Sequence, residues 1–86
     1  MIISFTQTAF EDYQNWSKDD KTIFKKINAL IKEVLRTPFT GTGKPEPLKH
    51  ELSGYWSRRI DQANRLVYKI DGDRLNIVQC GTHYHQ

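Results

Sequence analysis

The chain has 86 residues, of which 37% are hydrophobic and 27% charged, and its formal net charge is +3. This length suits one hydrophobic core and excludes a second, and the share of apolar side chains is that of a folded protein rather than a disordered one. The first residues lack the pattern of a signal peptide, and no segment reaches the roughly 20 apolar residues that span a bilayer, so neither secretion nor membrane insertion is indicated.

The N-terminal half predicts one strand and two helices. Residues 1–5 predict a short strand, and a first helix follows from Thr6 or Thr8, since either side chain can cap the helix and apolar residues then recur at helical spacing. Thr8 and Glu11 match a capping-box pattern. Residues 20–36 carry an apolar stripe with steps of three and four residues, which predicts a second, longer helix.

The C-terminal half predicts a loop and then an antiparallel meander. Residues 37–47 contain three prolines and two glycines, which is typical of a loop. Strands are expected over residues 48–52, 55–60, 66–70 and 75–80. The predicted fold class is therefore α+β: an N-terminal strand and two helices packed on one face of a largely antiparallel twisted sheet, in a single domain over residues 1–86.

Strand parity predicts different roles for the two faces of this sheet. The Asp-Gly pair at 71–72 is a strong hairpin signal, and with those two residues at the centre of the turn Tyr68 faces Leu75. The large apolar side chains then share one face, which is expected to pack on the helices. Arg65 and Val67 point to the opposite face, which is expected to be open to a ligand.

The candidate chemical residues lie at loop and strand ends. Glu46 stands between two prolines that stiffen its backbone, and Arg65 follows a tight turn with a guanidinium suited to phosphate. His83 can exchange a proton at neutral pH, and Tyr84 follows it. Residues expected to bind RNA are Lys44, Lys49, Arg58 and Arg59. Taken singly, these signals are also typical of a solvated loop, of surface ion pairs and of a frayed tail.

Together, a carboxylate, guanidiniums, an imidazole and a phenol are what metal-free RNA cleavage needs. A general base takes the proton of the ribose 2′-OH, cations stabilise the charge on phosphorus, and a general acid protonates the leaving oxygen. No carboxylate pair or histidine cluster has metal-ligand spacing, so no metal or cofactor is expected. Cys80 is the only cysteine and cannot form an intramolecular disulfide, which fits a reducing cytoplasm.

The sequence resembles the YoeB toxins, within the RelE-like group of toxin–antitoxin ribonucleases. The resemblance covers nearly the whole chain and is carried by residues 37–39, 43–50, 52–60, 64–68 and 83–84. It implies a ribosome-dependent messenger-RNA interferase that acts in the A site and inhibits translation. It also implies neutralisation by a YefM-like antitoxin whose C-terminal segment wraps the toxin, and a homodimer.

The resemblance assigns roles to single residues. These are Glu46 as general base, His83 as general acid, Arg65 as the phosphate-stabilising arginine and Tyr84 as a residue that positions the RNA. Lys49 and Arg59 match supporting basic positions. The chain departs from the family pattern where it continues past the His-Tyr pair with His85 and Gln86, so His85 could compete with the preceding histidine as the acid.

Two other functions stay open at this point. The same fold in the ParE group is associated with inhibition of DNA gyrase, and a toxin of that kind would not need an acid–base pair. A regulator that binds operator DNA is the other, although helix 20–36 has an apolar stripe that must face the core, and no recognition helix is evident. The lysines of that helix are expected to form a solvated face or a ribosomal RNA contact: Lys21, Lys25, Lys26 and Lys32.

Overall fold

In the computed structural model, which describes residues 1–82, strand β1 (Ile2–Phe5) leads into two consecutive helices. Thr6 caps helix α1 (Gln7–Asp19), and its hydroxyl accepts a hydrogen bond from the backbone N–H of Ala9 at 3.2 Å. Thr8 lies inside α1, so the capping box predicted at Thr8 is wrong and the alternative cap is the one used.

Helix α2 (Lys21–Arg36) follows without a loop because Asp20 ends one helix and caps the next. The Asp20 carboxylate accepts hydrogen bonds from the N–H groups of Thr22 and Ile23, both at 3.1 Å, and so satisfies donors that the first turn of a helix leaves unpaired. The backbone of Asp20 is extended, which sets the two helix axes at an angle. The sequence thus fixes the helix boundary with one side chain.

The remaining strands complete a five-stranded sheet. They are β2 (Glu46–Pro47), β3 (Trp56–Arg59), β4 (Arg65–Asp71) and β5 (Arg74–Gly81). The strand order is β1-β5-β4-β3-β2; β1 pairs with β5 in parallel, and every other pair is antiparallel. The predicted fold class, two helices on one face of a largely antiparallel sheet, is confirmed.

The strand predicted over residues 48–52 is wrong. The chain pairs with β3 two residues earlier, through β2, and then coils into a 3-10 turn over His50–Leu52. His50 has a φ of +59°, a left-handed conformation that cannot continue a strand, and the N–H of Ser53 donates to the carbonyl of His50 at 3.0 Å. Glu46 therefore lies on a short edge strand rather than in a loop.

The hairpin between β4 and β5 turns one residue later than predicted. Gly72 and Asp73 are its central residues, because Asp71 pairs with Arg74, and of these only Gly72 has a positive φ, at +60°. Tyr68 faces Ile77 instead of the predicted partner, which is a shift of two residues and so preserves the side-chain parity. A β-bulge between Val67 and Tyr68 then shifts the register by one residue.

The core lies between the helices and one face of the sheet. Its buried side chains are Ala9, Ile27, Leu30, Ile31, Val34, Ile60, Leu66, Tyr68, Leu75, Ile77 and Cys80. Burying a side chain of this kind stabilises the fold by about 1.5–3 kcal/mol. The apolar stripe of α2, the alternating residues of β4 and the first part of β5 supply most of this set, as their periodicity predicts. Cys80 is out of phase with Ile77 and reaches the core face because of the β-bulge.

Candidate active site

The second face of the sheet is built by side chains of the other parity. One cross-strand row runs from Glu46 on β2 through Ser57 and Val67 to Gln79 on β5. Glu46 is exposed, but the next three side chains are only 1–7% exposed. The expectation that this whole face is open is therefore wrong; it is open at the β2 edge and closed over its centre.

A second row on the same face brings two arginines together. Arg59 pairs directly with Arg65, and Arg65 pairs with Gly81. Arg59 is exposed and Arg65 half-buried, with its Nη1 donating to the carbonyl of Asp61 at 3.3 Å. Like charges directly opposite in a sheet repel each other, so an anion between the two guanidiniums would stabilise the pair. The geometry favours a phosphate at this point.

Glu46 lies on the same face of the sheet as these arginines. It is separated from Arg65 by two strand spacings, roughly 10 Å across the sheet, and by two residues, roughly 7 Å along it. A carboxylate and guanidiniums on one face are groups that can remove a proton and stabilise negative charge on a phosphate.

The backbone before Glu46 is held against β3. The N–H of Arg59 donates to the carbonyl of Gly43 at 2.7 Å, and Gly43 has a φ of +86°. A Cβ at Gly43 would lie 3.1 Å from the carbonyl oxygen of Arg59, so no other residue fits without displacement. Lys44 has a φ of +50° and is exposed. The two prolines and this contact fix the position of Glu46.

The structure corrects the prediction for Arg58, which is buried and therefore does not bind RNA. It pairs with Leu66 and so points to the core face, opposite to Arg59. Its Nε donates to the hydroxyl of Tyr68 at 3.1 Å, and its Nη atoms donate to the carbonyls of Thr37, Thr40 and Thr42 at 2.5, 2.9 and 3.1 Å. Because side chains alternate between the two faces of a strand, the sequence also implies that Arg58 and Arg59 point to opposite faces.

Burial also raises the pKa of the Tyr68 hydroxyl, which donates to the carbonyl of Pro38 at 2.6 Å. The buried guanidinium and phenol together tie the loop after α2 to the sheet. This pair has a structural role rather than a catalytic one, because neither side chain reaches the second face of the sheet.

The remaining predicted site residues are Lys49, His83 and Tyr84, and the structure describes only the first of them. Lys49 is exposed on the chain that leaves β2. His83 and Tyr84, like His85 and Gln86, lie outside the described residues. Sequence reasoning missed Ser57, whose side chain lies on the site face next to Glu46 in the row; its spacing of two from Arg59 is the signal that could have found it.

Within residues 1–82, no group of three histidine, cysteine, aspartate or glutamate side chains is arranged to hold a metal ion. Over the same range, neither helix is both long and apolar enough to cross a bilayer. The chemistry available to the described site is that of a carboxylate and two guanidiniums on one face of the sheet.

Comparison with protein families matches residues 5–84 to the YoeB-like toxin of bacterial type II toxin–antitoxin systems. Among curated proteins, a toxin YoeB of Streptomyces coelicolor is 56% identical over 84 residues, covering 98% of this chain and 100% of the relative. A toxin YoeB of Escherichia coli K12 is 54% identical with the same coverage.

Solved structures agree. A YoeB/ParE toxin from Agrobacterium tumefaciens superposes with a TM-score of 0.94 at 46% identity, covering 98% of this chain and 100% of that one. A YoeB dimer and a heterotetrameric YoeB–YefM toxin–antitoxin complex, both from Staphylococcus aureus, superpose with TM-scores of 0.90 and 0.91 at 46% identity, each covering 98% of both chains.

Proposed function

Because the chain belongs to the YoeB-like toxin family of type II toxin–antitoxin systems, we propose that it is an endoribonuclease that cleaves messenger RNA without a metal ion. The observation that carries this proposal is the placement of Glu46, Arg59 and Arg65 on one face of the sheet, within two strand spacings of one another. A toxin that acted only by binding would have no need of a general base there.

In the proposed reaction, Glu46 takes the proton of the ribose 2′-OH, and the 2′-oxygen attacks the adjacent phosphorus. Arg65 and Arg59 stabilise the extra negative charge of the phosphorane. The bond from phosphorus to the 5′-oxygen breaks as His83 donates a proton to that oxygen, while Tyr84 positions the RNA. The products are a 2′,3′-cyclic phosphate, or a 3′-phosphate after hydrolysis, and a 5′-OH end.

The proposed setting is the A site of a translating ribosome in the cytoplasm, where cleavage inhibits translation. A messenger strand held there presents single-stranded nucleotides, and Lys44 and Lys49 flank Glu46 with positive charge for the neighbouring phosphates. We further propose a YefM-like antitoxin and a homodimer as partners, since relatives of this chain assemble in both ways.

Replacing Glu46 tests the proposal. In primer extension on a translated message, the wild-type chain is expected to produce discrete cuts, and Glu46→Gln is expected to cut about 10²–10⁴ times more slowly because the general base is lost. Glu51→Gln is the matched control, since Glu51 is an exposed carboxylate five residues further on in the 3-10 turn.

Equal cleavage by Glu46→Gln and Glu51→Gln would overturn the assignment of the base. Intact messages together with inhibition of gyrase supercoiling would instead identify the alternative, a non-catalytic toxin of the same fold.

A further inference from the structure

A small cavity opens at the end of β3, beside the site row that contains Arg59. It has a volume of about 270 Å³ and lies between α2, the loop before β2 and the turn after β3. Its charged lining residues are Lys26, Lys44, Arg59 and Asp61. This is close to the lower end of the roughly 300–1,000 Å³ range of ligand pockets, so it suits one small group rather than a whole substrate.

The cavity carries a net positive charge from residues on three separate elements. Lys26 comes from the second turn of α2, Lys44 from the loop, and Arg59 from the end of β3, against the single carboxylate of Asp61. Residues this far apart in sequence converge only through the fold. Three cations around one cavity make it a site for an anion with several acceptor oxygens.

The carboxylate of Asp61 is already engaged by its own turn. It accepts hydrogen bonds from the N–H groups of Ala63 and Asn64 at 2.9 and 2.8 Å. Burial alone would raise the pKa of Asp61, but these hydrogen bonds and the charge of Lys26 hold the pKa below its usual value. The carboxylate of Asp61 is therefore occupied mainly by its own turn, and the three cationic residues of the cavity outnumber it.

The backbone of the loop is held in an uncommon conformation at this cavity. Lys44 has a φ of +50°, which non-glycine residues seldom adopt, and the next residue is Pro45. The conformation persists because Gly43 is fixed to the backbone of Arg59. Such outliers are typical of functional sites, where the surrounding structure maintains them.

We propose that this cavity is a second phosphate subsite, which binds the phosphate next to the scissile one in the same messenger strand. The inference rests on the proposed function, because Arg59 borders both the cavity and the row with Arg65 and so connects the two phosphates. Lys26 is the residue that distinguishes the subsite, since nothing in the cleavage reaction requires it.

Short oligonucleotides with 2′-O-methyl riboses provide the test, since they lack the attacking 2′-OH and cannot be cleaved. The wild-type chain is titrated by NMR at low salt with di-, tri- and tetranucleotides extended at either end. At one end, the added nucleotide is expected to tighten binding several-fold, and Lys26→Gln is expected to lose this gain. The slope of log affinity against log salt should also fall by roughly 0.7, the value for one phosphate contact of a single strand.

Lys25→Gln is the matched control, because Lys25 is an exposed neighbour on the same helix that lines a different groove, with Phe24. It should keep the full gain and the full salt slope. An equal affinity gain and an equal salt slope in the two variants would overturn the subsite. A loss of ribosome affinity in Lys26→Gln with unchanged oligonucleotide binding would also overturn it, and would assign Lys26 to ribosomal RNA. Because these ligands are not cleaved, a failure of Glu46→Gln to slow cleavage would remove the proposed reaction without altering this result.

Discussion

Arg58 and Arg59 are neighbours in sequence with opposite tasks, because alternate residues of β3 face opposite sides of the sheet. The guanidinium of Arg58 is fully buried and bound to three backbone carbonyls of the segment between α2 and β2. In that segment Phe39 packs on Trp56 of β3, and the buried cation adds the hydrogen bonds that hold its backbone to the sheet.

Removing Arg58 is expected to be costly for stability. Arg58→Met should lower the free energy of unfolding by roughly 3 kcal/mol, since three partly buried carbonyls and the hydroxyl of Tyr68 lose their donor. Arg59→Met is the matched control and should change it by less than about 0.5 kcal/mol, because that side chain is exposed. Urea denaturation at neutral pH measures both, and equal midpoints would contradict the structural role of Arg58.

At the scale of residues, local sequence signals select only part of the candidate site. Glu46 and Arg65 could be selected because prolines, a tight turn and strand parity are local signals. The charge of Arg58 suggests RNA binding, but Arg58 is one residue out of step with Arg59, so the alternation of the strand turns its side chain to the core face. The burial of Ser57 and Gln79 depends on what covers the second face, which no local pattern reports.

At the scale of elements, the loop before β2 is positioned by glycines that allow close approach. Gly43 places its carbonyl 2.7 Å from the N–H of Arg59, and a side chain at Gly43 would also meet Leu30 at 3.3 Å. Gly41 packs on Glu33 of α2, whose carboxylate accepts a hydrogen bond from Thr42 at 3.1 Å. The loop thus joins α2 to β3, and Glu46 follows directly from it.

Gly43→Ala is expected to reduce cleavage as well as stability. Gly72→Ala is its control: both glycines have a positive φ, but a Cβ at Gly72 meets nothing within 4 Å. Gly72→Ala should therefore cost only the backbone strain, about 1 kcal/mol, and leave cleavage unchanged. Gly43→Ala should cost more, and its cleavage of a translated message should fall severalfold or more because Glu46 shifts with the loop. Equal losses in both variants would contradict the importance of the contact.

Local signals predicted the helices well and the strands less well. The stripe of α2 and the caps are determined by residues within one or two turns. The start of β2 is not, because a two-residue strand has no periodicity and exists only through its pairing with Trp56 and Ser57. The same holds for the hairpin turn, where the pairing of Asp71 with Arg74 moved the centre by one residue.

For the molecule as a whole, the pairing of β1 with β5 is the feature that local patterns do not specify. It joins residues more than seventy positions apart, and it places β5 between β1 and β4 under α1. The side chain of Trp16 on α1 donates to the carbonyl of Cys80 at 2.8 Å, and the thiol of Cys80 donates to the carbonyl of Ala9 at 3.3 Å. The helix and the sheet are therefore held together at the same residue of β5.

The alkylation rate of the Cys80 thiol is therefore expected to follow global unfolding. Burial and the nearby charge of Asp12 raise the pKa of its thiol from 9.0 to about 12, which lowers the thiolate population by about three orders of magnitude. Alkylation of the native chain at pH 8 should be at least a thousandfold slower than in concentrated urea. The logarithm of its rate should rise with urea concentration with the same slope as global unfolding.

Ala29→Cys combined with Cys80→Ser supplies an exposed reference thiol on α2, which should react rapidly at every urea concentration. A Cys80 rate that stays nearly independent of urea would mean that α1 leaves the sheet while the rest of the core stays folded, and the contacts of Trp16 and Ala9 would then hold only a local closure.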